Sequence, residues 1–210
     1  MAWSPCALIR LPCRPCAPTA VAWTRRWLNS SRALLREAQG NLVLVLHQLG
    51  NHGPAYFRRH PESFRRFTPS CDQDELSKCS REQILNSYDN ALLYTDHVLA
   101  RTIDLLEELD KQYDTAMIYV SDHGESLGEN GLYLHGLPYS IAPDEQIKVP
   151  MVMWFSSGFA ARNRLDQECL RAQTAQAASH DNLFHTVLGL LDVDTSVRDG
   201  ALDLAAACRH

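Results

Sequence analysis

Three short, continuous runs of hydrophobic residues stand out along the chain. They are NLVLVL (41–46), TAMIYVS (115–121) and KVPMVMWFS (148–156). Apolar runs of this length, rich in β-branched residues and ended by polar residues or glycine, are typical of strands buried on both faces. The hydrophobic pattern therefore predicts three buried strands of the kind found in parallel sheets.

One long helix is predicted between the first two strands. Ser80 and Gln83 form a capping box that marks its start, and the helical pattern ends near Lys111. A second helix is predicted over residues 182–193, and strands separated by helices in this order indicate the α/β class. The long helix has one predicted apolar face, which comprises Ile84, Tyr88, Leu92, Thr95, Leu99, Ile103, Leu106 and Leu109.

Residues 1–39 do not share this periodic pattern. They hold three cysteines, four prolines and three tryptophans, with no steady spacing of apolar positions. We interpret residues 1–39 as an atypical leader that is poorly ordered or not native to the fold. Residues 40–207 are interpreted as the folded part.

Composition and charge remove two classes of function. The chain has 210 residues, of which 45% are hydrophobic and 21% charged, as in an ordinary globular domain. Its net charge of -5 provides no basic surface for nucleic acid. The sequence has no run of about 18 apolar residues that could span a membrane. Its N-terminal apolar stretch is interrupted by Arg10 and Pro12, unlike a signal peptide.

Candidate metal ligands follow two of the predicted strands. His47 and His52 come after the first strand, and Asp122 and His123 come directly after the second. His135 can fold back towards them because the intervening loop is rich in glycine. Ligands of α/β sheets bind beyond the carboxyl ends of the strands, and imidazole and carboxylate groups are zinc ligands. We therefore predict a metal site here, although a single histidine taken alone more often makes a local hydrogen bond.

Two glutamates in the same loop have open roles. Glu125 and Glu129 either orient a histidine from outside the metal's own ligands or are solvated. For Glu129 we favour solvation.

The seven cysteines allow several arrangements. Cys71 and Cys79 bracket a short polar segment, and their spacing fits a disulfide as well as it fits two free thiols. Cys13 and Cys16 form a CxxC motif, but no second pair lies nearby to complete a four-ligand zinc site.

Five longer motifs resemble a known family. The resemblance is to the zinc-dependent phosphoethanolamine transferases that modify lipid A, in the sulfatase-like branch of the alkaline phosphatase superfamily. It covers about residues 40–192, the C-terminal part of the catalytic domain, and implies a partial sulfatase-like sandwich with a mainly parallel sheet flanked by helices. The motifs, in the family's order, are HQLGNHGPAYFRR (47–59), CDQDELSKC (71–79), SYDNALLYTDHVL (87–99), YVSDHGESLGENGLYLHGLPY (119–139) and APDEQIKVPMVMW (142–154).

The resemblance implies a reaction and a role for each candidate residue. A threonine takes phosphoethanolamine from phosphatidylethanolamine and passes it to a phosphate or sugar of lipid A or another lipopolysaccharide, with Zn²⁺ activating the threonine oxygen. Asp122 and His123 match two ligands of the main zinc. His52 and His135 match histidines that hold the phosphoryl group or a second zinc, and His47 matches a further histidine near them.

The resemblance also implies a setting for the protein. Such enzymes act at the periplasmic face of the bacterial inner membrane, and Cys71 and Cys79 match a periplasmic disulfide. The family's nucleophilic threonine, a glutamate ligand and the membrane helices lie upstream of the first shared strand. Thr19 and Thr24 do not lie in a matching motif, so neither is assigned as the nucleophile. We therefore expect an incomplete enzyme that releases little phosphoethanolamine from a lipid donor.

Two other functions stay open. A metal-dependent hydrolase of the sulfatase or phosphatase type would need its own nucleophile, such as a formylglycine formed in a Cys-x-Pro/Ala-x-Arg motif. Cys13 begins such a motif, but Ala17 replaces the arginine; Cys6 and Arg10 have the spacing, but Leu8 replaces the proline or alanine. The other alternative is a non-catalytic, truncated remnant that only binds metal.

Overall fold

The computed structural model describes residues 7–10, 32 and 34–210, and for residues 7–10 it describes the backbone alone. The chain divides into two compact units. Unit 1 contains the described residues up to Leu105 together with His123–Val149, and unit 2 contains Leu106–Asp122 and Pro150–His210. The first predicted strand therefore belongs to unit 1, and the second and third belong to unit 2.

The described part of the chain alternates between strands and helices. Its strands are β1 (Ala7–Arg10), β2 (Leu42–Val45), β3 (Ala116–Val120), β4 (Ser126–Leu127), β5 (Tyr133–Leu134) and β6 (Met151–Phe155). Its α-helices are α1 (Arg81–Glu108), α2 (Asp144–Ile147), α3 (Ser157–Arg162), α4 (Gln167–Gln173) and α5 (Asp181–Leu190). Short 3-10 turns lie at Tyr56–Arg58, Glu62–Phe64, Leu76–Lys78, Glu129–Gly131, Gly200–Leu202 and Ala206–Cys208. All three predicted strands and both predicted helices are present, and the α/β class is confirmed. The strands are less buried than predicted: every residue of β2, β3 and β6 is half-buried or exposed.

The described strands form three two-stranded ladders. In unit 1, β1 and β2 pair in parallel, whereas β4 and β5 form an antiparallel hairpin. In unit 2, β3 and β6 pair antiparallel, with Ile118 opposite Met153. A parallel pair needs a crossover connection, usually a helix; the segment between β3 and β6 contains only the hairpin, a 3-10 turn and the four-residue α2. The prediction of parallel pairing is therefore wrong for β3 and β6; among the described ladders, parallel pairing is seen at β1 and β2.

Helix α1 begins where the sequence predicts. The backbone N–H of Ser80 donates to Gln83 Oε1 at 2.8 Å, and the backbone N–H of Gln83 donates to Ser80 Oγ at 3.2 Å. This reciprocal pair satisfies two backbone donors that a helix start leaves without partners. The helix ends at Glu108, slightly before the predicted end near Lys111.

The buried face of α1 differs from the predicted apolar stripe. Leu92, predicted to be buried, is 47% exposed, whereas Asn90 beside it is fully buried. Asn90 and Ser87 can be buried because they hydrogen-bond to the backbone of the preceding loop, which removes the cost of leaving water. The buried residues of the helix are Ile84, Ser87, Asn90, Ala91, Thr95, Val98 and Leu105.

Unit 1 has a small core beside the first turns of α1. Tyr56, Cys71, Ile84 and Leu127 are buried together. Cys71 forms a disulfide with Cys79, as the resemblance implies. This cluster joins the segment before α1 to the hairpin of β4 and β5.

Unit 2 has a separate apolar core. Ala160, Leu165, Leu190 and Ala205 are buried together, and Ile118, Phe155, Phe159 and Leu170 pack against them. A second disulfide, between Cys169 and Cys208, connects α4 to the C-terminal 3-10 turn. The sequence does not predict this pairing, because no local spacing relates cysteines 39 residues apart.

The boundary between an atypical leader (1–39) and a folded part (40–207) stays a prediction. Most of the leader, including Cys6, Cys13, Cys16, Thr19 and Thr24, lies outside the described residues. Within the described part of the chain, no helix has the length and apolar character needed to cross a membrane.

Candidate metal centre

Three of the predicted site residues meet in unit 1. His52, His123 and His135 each offer a ligand atom, and these atoms all lie within 4.8 Å of one another. The rings of His123 and His135 stack at 3.8 Å between centroids, and the ring of His52 meets that of His135 edge-on at 4.8 Å. His52 is exposed and the other two are half-buried, so the cluster is open to solvent on one side.

His52 ends a tight turn that follows β2. Its backbone N–H donates to the carbonyl oxygen of Leu49 at 3.1 Å, which closes the turn. The guanidinium of Arg59 donates through Nε to the carbonyl oxygen of His52 at 2.8 Å. The backbone of His52 is therefore held from both sides.

Gly53 lets the loop of His52 approach the hairpin of His135. A Cβ atom at Gly53 would lie 2.7 Å from both Leu134 Cδ2 and the Tyr56 hydroxyl. Tyr56 is 1% exposed and cannot move away easily. Leu134, the residue before His135, has a φ of +63°, which a leucine rarely adopts. Position 53 therefore requires glycine if the two histidines are to stay close.

His123 lies in the turn after β3, where Gly124 passes close to helix α2. The N–H of Gly124 donates to the carbonyl oxygen of Gln146 at 2.9 Å. A Cβ at Gly124 would overlap the carbonyl oxygen of Glu145. This close backbone approach explains a glycine directly after His123.

His135 follows the hairpin of β4 and β5, and this hairpin returns the chain to the loop of His123 and Glu125. Ser126 pairs with Leu134 across this hairpin, so Glu125 and His135 lie side by side at its open end. The carboxylate of Glu125 is buried and its Oε1 lies 3.4 Å from His135 Nδ1. The hairpin thus places a carboxylate behind the imidazole.

All three imidazoles have an acceptor at Nδ1. An acceptor there favours the tautomer that carries its proton on Nδ1 and its lone pair on Nε2. Histidines that bind metals almost always have their second nitrogen engaged in this way. The pairs are His52 Nδ1 with Gly53 O at 2.7 Å, His123 Nδ1 with Gly124 O at 2.9 Å, and His135 Nδ1 with Glu125 Oε1 at 3.4 Å.

The buried side of the site is electrostatically unusual. Burial and the neighbouring Glu125 carboxylate raise the pKa of the Tyr56 hydroxyl well above its ordinary value. The hydroxyl makes no hydrogen bond of standard geometry to any residue in the described part of the chain. Burial, and then the nearby Arg58, lower the pKa of Arg59. A neutral phenol, a carboxylate and a half-buried guanidinium therefore line the region behind the histidines.

Two other predicted ligands are not members of the cluster. His47 is exposed and precedes the turn that carries His52. Asp122 is exposed and is the last residue of the first segment of unit 2. The predictions that His47 and Asp122 bind the metal stay predictions.

Glu129 is not solvated as the sequence analysis favoured. Its Oε1 pairs with Arg81 Nη2 at 3.1 Å, and its Oε2 accepts from the backbone N–H of Leu127 at 2.6 Å. It therefore ties the hairpin to the start of α1. Glu125, whose role was left open, is the residue that contacts a histidine, and its place directly after the His-Gly pair is the only sequence signal of that role.

The fold and the cluster together define a member of the sulfatase class. The profile of the family described as Sulfatase matches residues 11–193. The chain therefore belongs to the sulfatase family.

Characterised relatives within this class are transferases. The chain is 49% identical over 177 residues to phosphoethanolamine transferase EptA of Escherichia coli (strain K12), a match that covers 84% of this chain and 32% of the relative. It is 46% identical over 153 residues to phosphatidylethanolamine transferase Mcr-1 of Escherichia coli, covering 73% of this chain and 27% of the relative. The chain thus spans about a third of the length of the curated relatives it matches. The resemblance inferred from the motifs is confirmed.

Solved structures share the fold. The soluble domain of lipooligosaccharide phosphoethanolamine transferase A from Neisseria meningitidis matches with a TM-score of 0.84 and 45% identity, over 88% of this chain and 55% of that one. The C-terminal periplasmic domain of phosphoethanolamine transferase EptC from Campylobacter jejuni matches with a TM-score of 0.81 and 42% identity, over 89% of this chain and 59% of that one. The predicted sulfatase-like α/β fold is confirmed.

Proposed function

We propose that this chain forms part of a zinc-dependent phosphoethanolamine transferase, and that His52, His123 and His135 lie at its metal and phosphoryl site. The observation that carries the proposal is the convergence of three imidazoles whose Nδ1 atoms are all engaged. Relatives at 46–49% identity bear the names of phosphoethanolamine and phosphatidylethanolamine transferases. Together these observations favour phosphoryl transfer over other chemistry of the sulfatase class.

The donor atoms fit zinc better than they fit hard cations. Imidazole nitrogen is a preferred ligand of Zn²⁺, whereas magnesium and calcium favour oxygen. Zn–N bonds are about 2.0–2.1 Å long. The three ligand atoms already lie within 4.8 Å of one another, so small side-chain rotations would let them share an ion. On the resemblance alone, we propose Asp122 and His47 as further ligands. When bound, zinc would stabilise negative charge on a phosphoryl group and activate an oxygen nucleophile.

Glu125 and Arg59 orient the histidines, and the histidines with Arg59 would bind the phosphoryl group. Glu125 accepts at Nδ1 of His135 and fixes the orientation of that ring, while Arg59 holds the carbonyl of His52. His52 and His135 present Nε2 to the phosphoryl oxygens or to a second ion. The half-buried guanidinium of Arg59 adds positive charge behind His52, where a phosphoryl group carries negative charge.

The substrates follow from the relatives. We propose phosphatidylethanolamine as the donor and lipid A or another lipopolysaccharide as the acceptor, at the periplasmic face of the inner membrane. One relative, from Escherichia coli (strain K12), is named Kdo(2)-lipid A phosphoethanolamine 7''-transferase and is 35% identical over 164 residues. The net charge of -5 is consistent with a partner other than nucleic acid.

The metal assignment is tested by zinc content after dialysis against a trace of Zn²⁺. His123→Ala should remove the bound zinc, because it takes away one of three converging ligands. His97→Ala is the matched control, since His97 is exposed on α1 and contacts Phe64 and Tyr94 instead. Unchanged zinc in His123→Ala would refute the site.

The substrate class is tested with the zinc-loaded chain and soluble O-phosphorylethanolamine, followed by ³¹P line broadening. We expect binding that His135→Ala weakens and that a sulfate monoester does not displace. Preferential displacement by the sulfate ester would favour a sulfate hydrolase and contradict the proposal.

A further inference from the structure

The turn that carries His52 is tied to helix α1 by a single side chain. Asn51 Nδ2 donates to the carbonyl oxygen of Tyr88 at 3.2 Å, and Asn51 Oδ1 accepts from the Thr95 hydroxyl at 2.8 Å. Thr95 is 6% exposed, so water has little access to this bond. Because Asn51 directly precedes His52, the bond acts one residue away from a candidate ligand.

Thr95 was predicted from the sequence as part of an apolar stripe. Its methyl group suits that face, but its hydroxyl points to Asn51, which lies 44 residues earlier in the chain. A buried hydroxyl is stable only when it has a hydrogen-bond partner. The hydrogen bond between Thr95 and Asn51 therefore holds the turn of His52 at a fixed distance from α1.

The position of this turn matters for the cluster. The ring centroid of His52 lies 4.8 Å from that of His135 and 5.9 Å from that of His123. Arg59 restrains the carbonyl side of His52, and Asn51 restrains the residue on its amino side. A displacement of about 1 Å at such a site can change its function by about 100-fold.

We propose that Thr95 is a positioning residue: through Asn51 it holds the His52 imidazole at the distance from His123 and His135 that metal binding requires. The proposal rests on the proposed function, because it assumes that the three histidines bind a metal. Thr95 itself touches neither metal nor substrate.

A second threonine on the same helix provides a matched control. The hydroxyl of Thr102 donates to the carbonyl oxygen of Val98 at 2.9 Å, a bond within α1 itself. Thr95→Val and Thr102→Val therefore remove the same group from the same helix, and only the first contacts the turn. Thr95→Ser keeps the donor and tests rescue.

The experiment titrates Co²⁺ into the full chain and follows the visible absorption of the bound ion. Thr95→Val should bind Co²⁺ about 10- to 100-fold more weakly than the unsubstituted chain, as expected when a group supporting a ligand is removed. Thr102→Val and Thr95→Ser should bind like the unsubstituted chain. Equal affinity for Thr95→Val, or an equal loss in Thr102→Val, would overturn the proposal.

A metal-free measurement separates this inference from the proposed function. In the NMR spectrum of the metal-free chain, Thr95→Val should shift the ring resonances of His52, and Thr102→Val should not. Unchanged His52 resonances would overturn the positioning role whether or not the chain binds metal. Absence of Co²⁺ binding by the unsubstituted chain would instead overturn the proposed metal site.

Discussion

Within the described residues, units 1 and 2 each contain a small apolar cluster, a disulfide and several buried polar side chains, and these polar side chains bond to different kinds of partner. In unit 1, buried polar groups bond to loops: Asn90 to residues 66–67, and Thr95 to Asn51. In unit 2, Ser156 caps α3 and accepts from the N–H of Thr115, which joins helix and strand. Asn90 and Thr95 thus hold loops, whereas Ser156 joins a helix to a strand.

The comparison shows how the candidate site residues of unit 1 are held in position. The three histidines lie on loops and turns of unit 1, outside its helices and strands. Buried hydrogen bonds to neighbouring elements must therefore set their positions, since a hydrogen bond has a defined direction and apolar contact does not. Substitutions of the buried polar residues of unit 2 should lower the free energy of unfolding.

The largest expected effect concerns the two disulfides. In the chain-entropy view, closing a longer loop restricts the unfolded chain more. The Cys169–Cys208 pair spans 39 residues and Cys71–Cys79 spans 8. Replacing both cysteines by alanine should lower the free energy of unfolding by about 4 kcal/mol for the long loop and about 2.5 kcal/mol for the short one. Urea unfolding of the two double variants measures this, and a larger loss for the short loop would contradict the comparison.

The next effect is expected at Asp203 in unit 2. Its side chain is fully buried; it pairs with Arg198 Nη2 at 2.7 Å and accepts from the N–H of Ala205 at 2.9 Å. Asp203→Ala leaves a mostly buried guanidinium without its partner and should cost about 3 kcal/mol. Urea unfolding measures the loss, and Asp194→Ala, at an exposed site, is the control. If Asp203→Ala weakens zinc binding by more than its loss of stability explains, a purely structural role for Asp203 is contradicted.

Asn90 provides the counterpart in unit 1. Its Oδ1 accepts from the N–H groups of Arg66 and Phe67 at 2.7 and 2.8 Å, and its Nδ2 donates to the carbonyl oxygen of Phe67 at 2.9 Å. Asn90→Ala should destabilise the chain by about 2 kcal/mol, because buried backbone groups lose their partners. Asn86→Ala is the control: it removes a single, exposed hydrogen bond from the same helix, to Pro69 O. Equal unfolding midpoints for the two variants would show that the buried bonds contribute nothing special.

The smallest effect is a pH dependence at Glu129. Burial acts to raise the pKa of this carboxyl, but hydrogen bonds from backbone N–H groups and the charge of Arg81 outweigh it and lower the pKa below 4.5. A lowered folded-state pKa means that the stabilisation is present above pH 4.5 and is lost as pH falls through the folded value.

Because the pair is partly exposed, Glu129→Gln should cost below about 1 kcal/mol at neutral pH and nothing once the carboxyl is protonated. Urea midpoints of this variant and of the exposed control Glu82→Gln, measured across the acid range, test it. If the urea midpoint of Glu129→Gln stays below that of Glu82→Gln in strong acid, the effect comes from lost packing and not from lost charge.

Much of the local structure could be predicted from patterns between neighbours in sequence. The start of α1 depends on Ser80 and Gln83, which lie within one turn, and the strands depend on continuous apolar runs. The burial of α1 was predicted less well, because Asn90 is buried by hydrogen bonds to another segment, whereas Leu92 is 47% exposed. Hydrophobicity alone cannot report a polar residue whose hydrogen bonds are satisfied elsewhere.

The sequence by itself determined the α/β class, the family and the kinds of side chain available for chemistry, because these depend on composition and on local order. Only the tertiary structure decided that His52, His123 and His135 bring their ligand atoms within 4.8 Å of one another. It also decided that Glu125 stands behind His135 and that Thr95 reaches Asn51. Such contacts depend on turn geometry and on close backbone approach at Gly53 and Gly124, which join loops that no sequence period relates.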